Sequence, residues 1–141
     1  MPLAPALALL AAVSAPATSA PTRAIEHTYL KALPGQRPAL IRYIRDNWFA
    51  MDRIGRSQGL FTSYRLLERD GAEDPAAEWD VVVAVGYPDP RGYDAPGVAA
   101  RFAAIRAAHR EIRVNGRGLP ELGRIVRSER LHPVTGEDSD V

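Results

Sequence analysis

The sequence predicts an α+β domain in which a four-stranded antiparallel sheet carries two helices on one face, in the order β-α-β-β-α-β. Two observations lead there. Four stretches have strand character and two have helical period, and each is separated from the next by proline, glycine or a polar run. The expected elements lie between residues 25 and 133, one domain's length within a chain of 141 residues.

Residues 25–33, IEHTYLKAL, form the first expected strand, closed by Pro34 and Gly35, a pair that favours a turn. Gln36 to Gln58 has the period of one amphipathic helix of about six turns. Leu40, Ile41, Ile44, Trp48, Met51 and Ile54 mark its inner side, and Arg42, Arg45, Asp46, Asp52, Arg53 and Arg56 its outer side. Leu60 to Arg69 reads as the second strand, and the polar stretch from Asp70 to Glu78 as a loop. Trp79 to Tyr87, WDVVVAVGY, is valine-rich and apolar on both faces apart from Asp80, as a central strand covered on both sides should be. Val98 to His109 is the second helix, with Val98, Phe102, Ile105 and Ala108 or His109 facing inward. Arg110 to Pro120 is turn-rich through Asn115-Gly116, and the charged run from Leu122 to Leu131 suits an edge strand.

This order is the split βαβ arrangement of ferredoxin-like folds, whose first and third strands are central. Those two strands carry the least charge here. Two helices cover only one sheet face, yet Val82 and Ala84 are as apolar as Val81, Val83 and Val85 on the other parity. The second face therefore calls for a cover, and a second copy packed sheet against sheet supplies one. A homodimer is expected.

Composition narrows the function classes. Eighteen basic residues face 17 acidic ones, interspersed rather than clustered, so nothing suggests a nucleic-acid partner. The chain has no cysteine, which excludes disulfides, thiolate metal sites and a cysteine nucleophile. His27, His109 and His132 sit on different segments without metal-ligand spacing, and neither a phosphate-binding glycine loop nor a GxSxG elbow occurs, so no metal and no cofactor are expected. The first 22 residues carry no charge, and Leu3 to Val13 is an apolar run followed by small residues. Residues 1–24 thus read as a signal peptide or a disordered leader, which points to a periplasmic or secreted protein. Prolines interrupt this stretch, so no membrane span is expected. Residues 25–133 form the domain, and 134–141 an acidic disordered tail.

The element order, the segment EHTYLKALPG and the apolar third strand resemble the dimeric α/β-barrel superfamily, which includes small monooxygenases, stress-responsive barrel proteins and polyketide cyclases. The resemblance implies a pocket between sheet and helices, with His27 and Tyr29 pointing into it and Lys31 towards its mouth. It also places His109 where that superfamily can carry a second histidine acting as general base. A neutral imidazole suits proton abstraction near pH 7, although each histidine has an alternative, purely structural role. Trp48, Tyr64, Trp79 and Tyr87 offer flat surfaces to an aromatic ligand, or to the core or dimer interface. Asp80, with Arg65 and Arg127 on neighbouring strands, is either a ligand-orienting group or an ion pair.

Three functions fit these residues. The first is an exported binder of a small hydrophobic or aromatic molecule. The second is a cofactor-free monooxygenase or cyclase, with His27 or His109 as base and Tyr29 or Tyr64 hydrogen-bonding an oxyanion. The third is a structural or interaction module whose interior is packed shut. The contents of the space between sheet and helices discriminate among them.

Overall fold

The computed structural model describes residues 20–134. The expected leader lies outside them up to residue 19, and the expected tail from residue 135 onward. The strands are β1 (Ala24–Ala32), β2 (Ser63–Glu68), β3 (Val81–Tyr87) and β4 (Gly123–Leu131). They form one sheet in the order β2-β3-β1-β4, every pair antiparallel. The expected ferredoxin-like topology is thus present, with β1 and β3 central. Pairing starts slightly before residue 25: the Arg23 N–H donates to the Tyr87 carbonyl at 2.8 Å, and Ala24 is fully buried.

Helix α1 (Arg37–Tyr43) passes into a π-helical turn, Ile44–Trp48, and continues as α2 (Phe49–Ser57). Helix α3 spans Val98–Ala108. A fourth short helix, α4 (Leu119–Leu122), stands in the stretch expected to be irregular, and the Glu121 carboxylate accepts from the Gly118 N–H at 2.7 Å at its start. The Asn115-Gly116 turn is formed, with both residues at positive φ (52° and 74°).

Register decides which side chains share a face. Thr28 is paired with Val83 and Leu30 with Val81, and these positions look towards the helices. His27 is paired with Ala84 and Tyr29 with Val82, on the opposite face. The core lies on the helix side in two clusters. One gathers Leu30, Leu40, Ile44, Val81, Val83 and Leu122, and the other gathers Met51, Leu60, Phe61, Tyr87, Phe102 and Ile105.

The π-helical turn changes the reading of the first helix. A π turn holds about one residue more than an α turn, so everything after it is rotated relative to a continuous 3.6-residue period. Leu40 and Ile44 point inward as the period predicts. Beyond the turn the inner positions become Met51, Asp52 and Gly55, whereas Ile54 is 46% exposed. Asp52, expected on the outer side, is buried.

Candidate functional site

A cavity of about 330 Å³ lies between the helices and the sheet. Trp48 and Met51 line it from the first helix, Val83 and Val85 form its floor on β3, and Phe61 and Phe102 close its inner end. The aromatic end is held by edge-to-face contacts: Phe61 lies 5.2 Å from Tyr87 and 5.3 Å from Phe102, centroid to centroid. The outer end lies over β4, where Ile125 and Ser128 are exposed because no helix covers that edge. A polar depression of about 300 Å³ adjoins it there, sharing Thr28, Tyr93 and Ser128. Its rim is braced by Arg130, which bonds Glu26 at 2.7 Å and Asp94 at 2.6 Å.

One carboxyl stands on the cavity wall. Asp52 is 6% exposed and makes no ion pair or hydrogen bond among the described residues. Burial alone pushes its carboxyl up from 3.8 to about 7, because an apolar surrounding penalises the charged form. Tyr87 shares that wall, and its burial, together with the Glu26 and Asp52 carboxylates, holds the phenol far above its ordinary value. The cavity therefore presents aromatic and aliphatic surface plus one carboxyl that exchanges its proton near neutrality. Such a wall suits a flat, largely apolar molecule and is chemically equipped for a proton transfer to or from one.

The residues expected from the sequence are distributed over separate places. Trp48 lies on the cavity wall. Tyr64 instead packs on Phe49 with ring centroids 5.0 Å apart and does not line the cavity. His27 and Tyr29 occupy the face away from the helices, which corrects the expectation that they point into the pocket: strand alternation sends Thr28 there in their stead. On the open face the Tyr29 hydroxyl donates to Glu129 Oε1 at 2.6 Å and lies 3.3 Å from His27 Nδ1. The Arg127 guanidinium stands 3.8 Å over the Tyr29 ring, and Trp79 meets its edge at 5.4 Å. The bond to Glu129, more than burial, raises the Tyr29 phenol above its ordinary value, and the same bond lowers Glu129.

His109 follows α3 and faces the first helix from outside the cavity. Its Nε2 lies 3.0 Å from Asn47 Oδ1 in the π-helical turn, and it borders a surface groove lined by Ile54, Arg101 and Arg110. Lys31 and Asp80 meet at the other end of the sheet, 3.4 Å apart. Asp80 is 2% exposed, accepts from the Ala32 N–H at 2.9 Å and has Arg69 at 3.8 Å. Its partners are thus Lys31 and Arg69 rather than Arg65 and Arg127, and Arg127 pairs with Glu78 at 2.8 Å. Sequence reasoning missed Asp52. A usable signal was Asn47, a weak helix former in the middle of a long helical pattern, which marks the place where the period breaks. Among the described residues no cluster of histidine and carboxylate side chains suits a metal, and no helix is long and apolar enough to cross a membrane.

No family model matches the chain, and no curated protein matches it. Solved structures do. HapK from Hahella chejuensis superposes with a TM-score of 0.52 at 11% identity, over 84% of this chain and 99% of that one. PA3566 from Pseudomonas aeruginosa gives 0.50 at 17% identity, over 82% and 98%. The chain has a ferredoxin-like α+β fold. That ferredoxin-like fold agrees with the sequence resemblance to the dimeric α/β-barrel superfamily at the level of architecture. A structure described as a putative antibiotic biosynthesis monooxygenase from Chloroflexus aurantiacus J-10-fl shares 21% identity over 82% of this chain and 97% of its own, with a TM-score of 0.38.

Proposed function

We propose that this chain is an exported, homodimeric binding protein for a small hydrophobic or aromatic molecule, which it holds between sheet and helices. The observation that carries the reading is the cavity of about 330 Å³, walled by Trp48, Met51, Phe61 and Phe102. It has the scale of a small-ligand site. A purely structural module would have filled this space with side chains. Neither His27 nor His109 lines the cavity, so the geometry gives no support to either histidine as the base of an enzyme.

Pairing through the open sheet face is the second part of the proposal. That face carries Leu67 and Leu131, 45% and 41% exposed, on the two outer strands around the ordered group formed by Tyr29, Arg127 and Glu129. A two-fold copy would bury both leucines and leave the cavity, on the other side of the sheet, open to ligand. Export rests on the uncharged first 22 residues. A cut after Ala24 would remove the first residue of β1, whereas a cut after Ala17 keeps that strand whole and does not place Pro21 directly after the cleaved bond.

Native mass spectrometry of the protein taken from its host's extracytoplasmic fraction tests all three parts. A dimer of shortened subunits carrying a non-covalent organic adduct is the expected result. Full-length monomers without adduct would overturn the proposal. A Leu67→Asp variant, expected to sediment as a monomer, tests the interface separately.

A further inference from the structure

We infer that Asp52 is a catalytic base, and that the cavity interconverts the keto and enol forms of a small aromatic ketone. The inference rests on the ligand-binding reading of the same cavity and goes beyond it by assigning a reaction and a residue.

Three observations converge. Asp52 is the carboxyl on the wall of a space lined mainly by rings and aliphatic groups, with Thr28, Ser128 and Arg106 as its other polar side chains, and no partner among the described residues pairs with it. A buried carboxylate without a partner is costly, so a fold gains nothing from keeping one there unless a ligand uses it. The π-helical turn Ile44–Trp48 is what rotates Asp52 inward, and such turns concentrate at functional sites. The turn is built in, since Asn47 ties it to the chain after α3. The other charged or titratable groups on the cavity wall are Tyr87 from β3, Tyr93 from the loop before α3 and Arg106 from α3. Tyr87 cannot serve as a base, because its phenol is held protonated. Arg106, exposed at the cavity edge and placed 5.2 Å above the Phe102 ring, supplies a cation for an oxygen that becomes negative.

The step balances within the substrate. The Asp52 carboxylate takes a proton from the carbon next to the carbonyl. The C–H electron pair becomes a carbon–carbon double bond, and the carbonyl π pair moves onto oxygen. That oxygen then takes a proton from water at the exposed end beside Ser128, and Asp52 returns its own to solvent. No oxidant, reductant or metal enters. A carboxyl exchanging near neutrality has the basicity that proton transfer at pH 7 to 8 requires.

The test uses 2-tetralone, a bicyclic aromatic ketone, in deuterium oxide. Proton NMR follows exchange of the C1 methylene, which lies between the aromatic ring and the carbonyl, and saturation transfer from the protein reports binding independently. The intact protein is expected to accelerate exchange at least 100-fold over buffer, with a rate that rises with pH and levels off above about 7. Asp52→Asn should lose that acceleration while still binding the ketone, and Asp52→Glu should regain part of it. Exchange at the normal rate in Asp52→Asn, or a pH profile without an inflection near 7, would overturn the assignment. Binding of the ketone without any acceleration by the intact protein would overturn the reaction and leave the binding reading standing. Absence of binding would overturn both.

Discussion

Asn47, buried in the π-helical turn, and His109, just after α3, are bound to each other, with Oδ1 of the first 3.0 Å from Nε2 of the second. The same oxygen accepts from the Ile112 N–H at 2.7 Å, and the Asn47 amide donates to the carbonyls of Tyr43 and Ile112 at 3.0 and 2.8 Å. One buried carboxamide thereby satisfies the backbone of the segment after α3 and holds the first helix in its π-helical turn.

Asn47→Ala should therefore destabilise the protein by about 2–4 kcal/mol, because each buried backbone group left unpaired costs about 1–3 kcal/mol. Urea denaturation measures the loss. Amide exchange at Ile112 should rise by more than at the β1–β3 ladder, and uniform loosening of both would contradict the local account.

Asp52 makes stability fall with rising pH. Its folded value of about 7 lies above the ordinary 3.8, so the folded state keeps a proton that the unfolded chain has already released. The stabilising contribution is complete below pH 3.8 and declines until the pH passes about 7, a span on the order of 4 kcal/mol. Asp52→Asn should flatten this slope and leave the variant more stable than the parent at pH 8, as thermal melts at pH 5 and pH 8 would reveal. A variant that melts lower than the parent at pH 8 would mean that the carboxylate has a partner in the fold.

Gly55 is the place where α2 lets a ring in. A Cβ there would lie 2.5 Å from Cε2 of Phe61, a ring already locked against Tyr87 and Phe102. Gly55→Ala gains about 1 kcal/mol of helix propensity and loses more, about 1–3 kcal/mol, to overpacking. A net loss in Tm is expected, together with weaker binding of an aromatic probe such as 2-tetralone. A gain in Tm would show that Phe61 moves freely.

Asp80→Ala should cost about 3–5 kcal/mol, since it leaves Lys31 and Arg69 without their buried anion and the Ala32 N–H without its acceptor. Arg91→Ala, at an exposed pair with Asp89, serves as the comparison and should leave the urea midpoint nearly unchanged. Equal losses in the two variants would refute the distinction.

The strand order and the two faces of β3 were legible because period-2 alternation, valine-rich runs and Pro-Gly punctuation are local properties of the chain. Trp48 was legible as an inward-facing aromatic, and it keeps that place on the cavity wall although it closes the π-helical turn. The parity of β1 was legible too, for His27 and Tyr29 do share one face. Which face looks towards the helices was not: alternation alone distinguishes two sides without saying which is which, and only the register against β3 and the helices settled it. The position of Asp52 lay beyond sequence reading for a related reason. Helical period extrapolates from residue to residue, and one extra residue in the turn at Ile44–Trp48 rotates everything after it. The sequence by itself determined the sheet, its central strands and the apolar surface available for a core. The tertiary structure decided where a carboxyl meets that surface, because the cost of burying it depends on neighbours that come together only when helix, sheet and the loop before α3 close on one another.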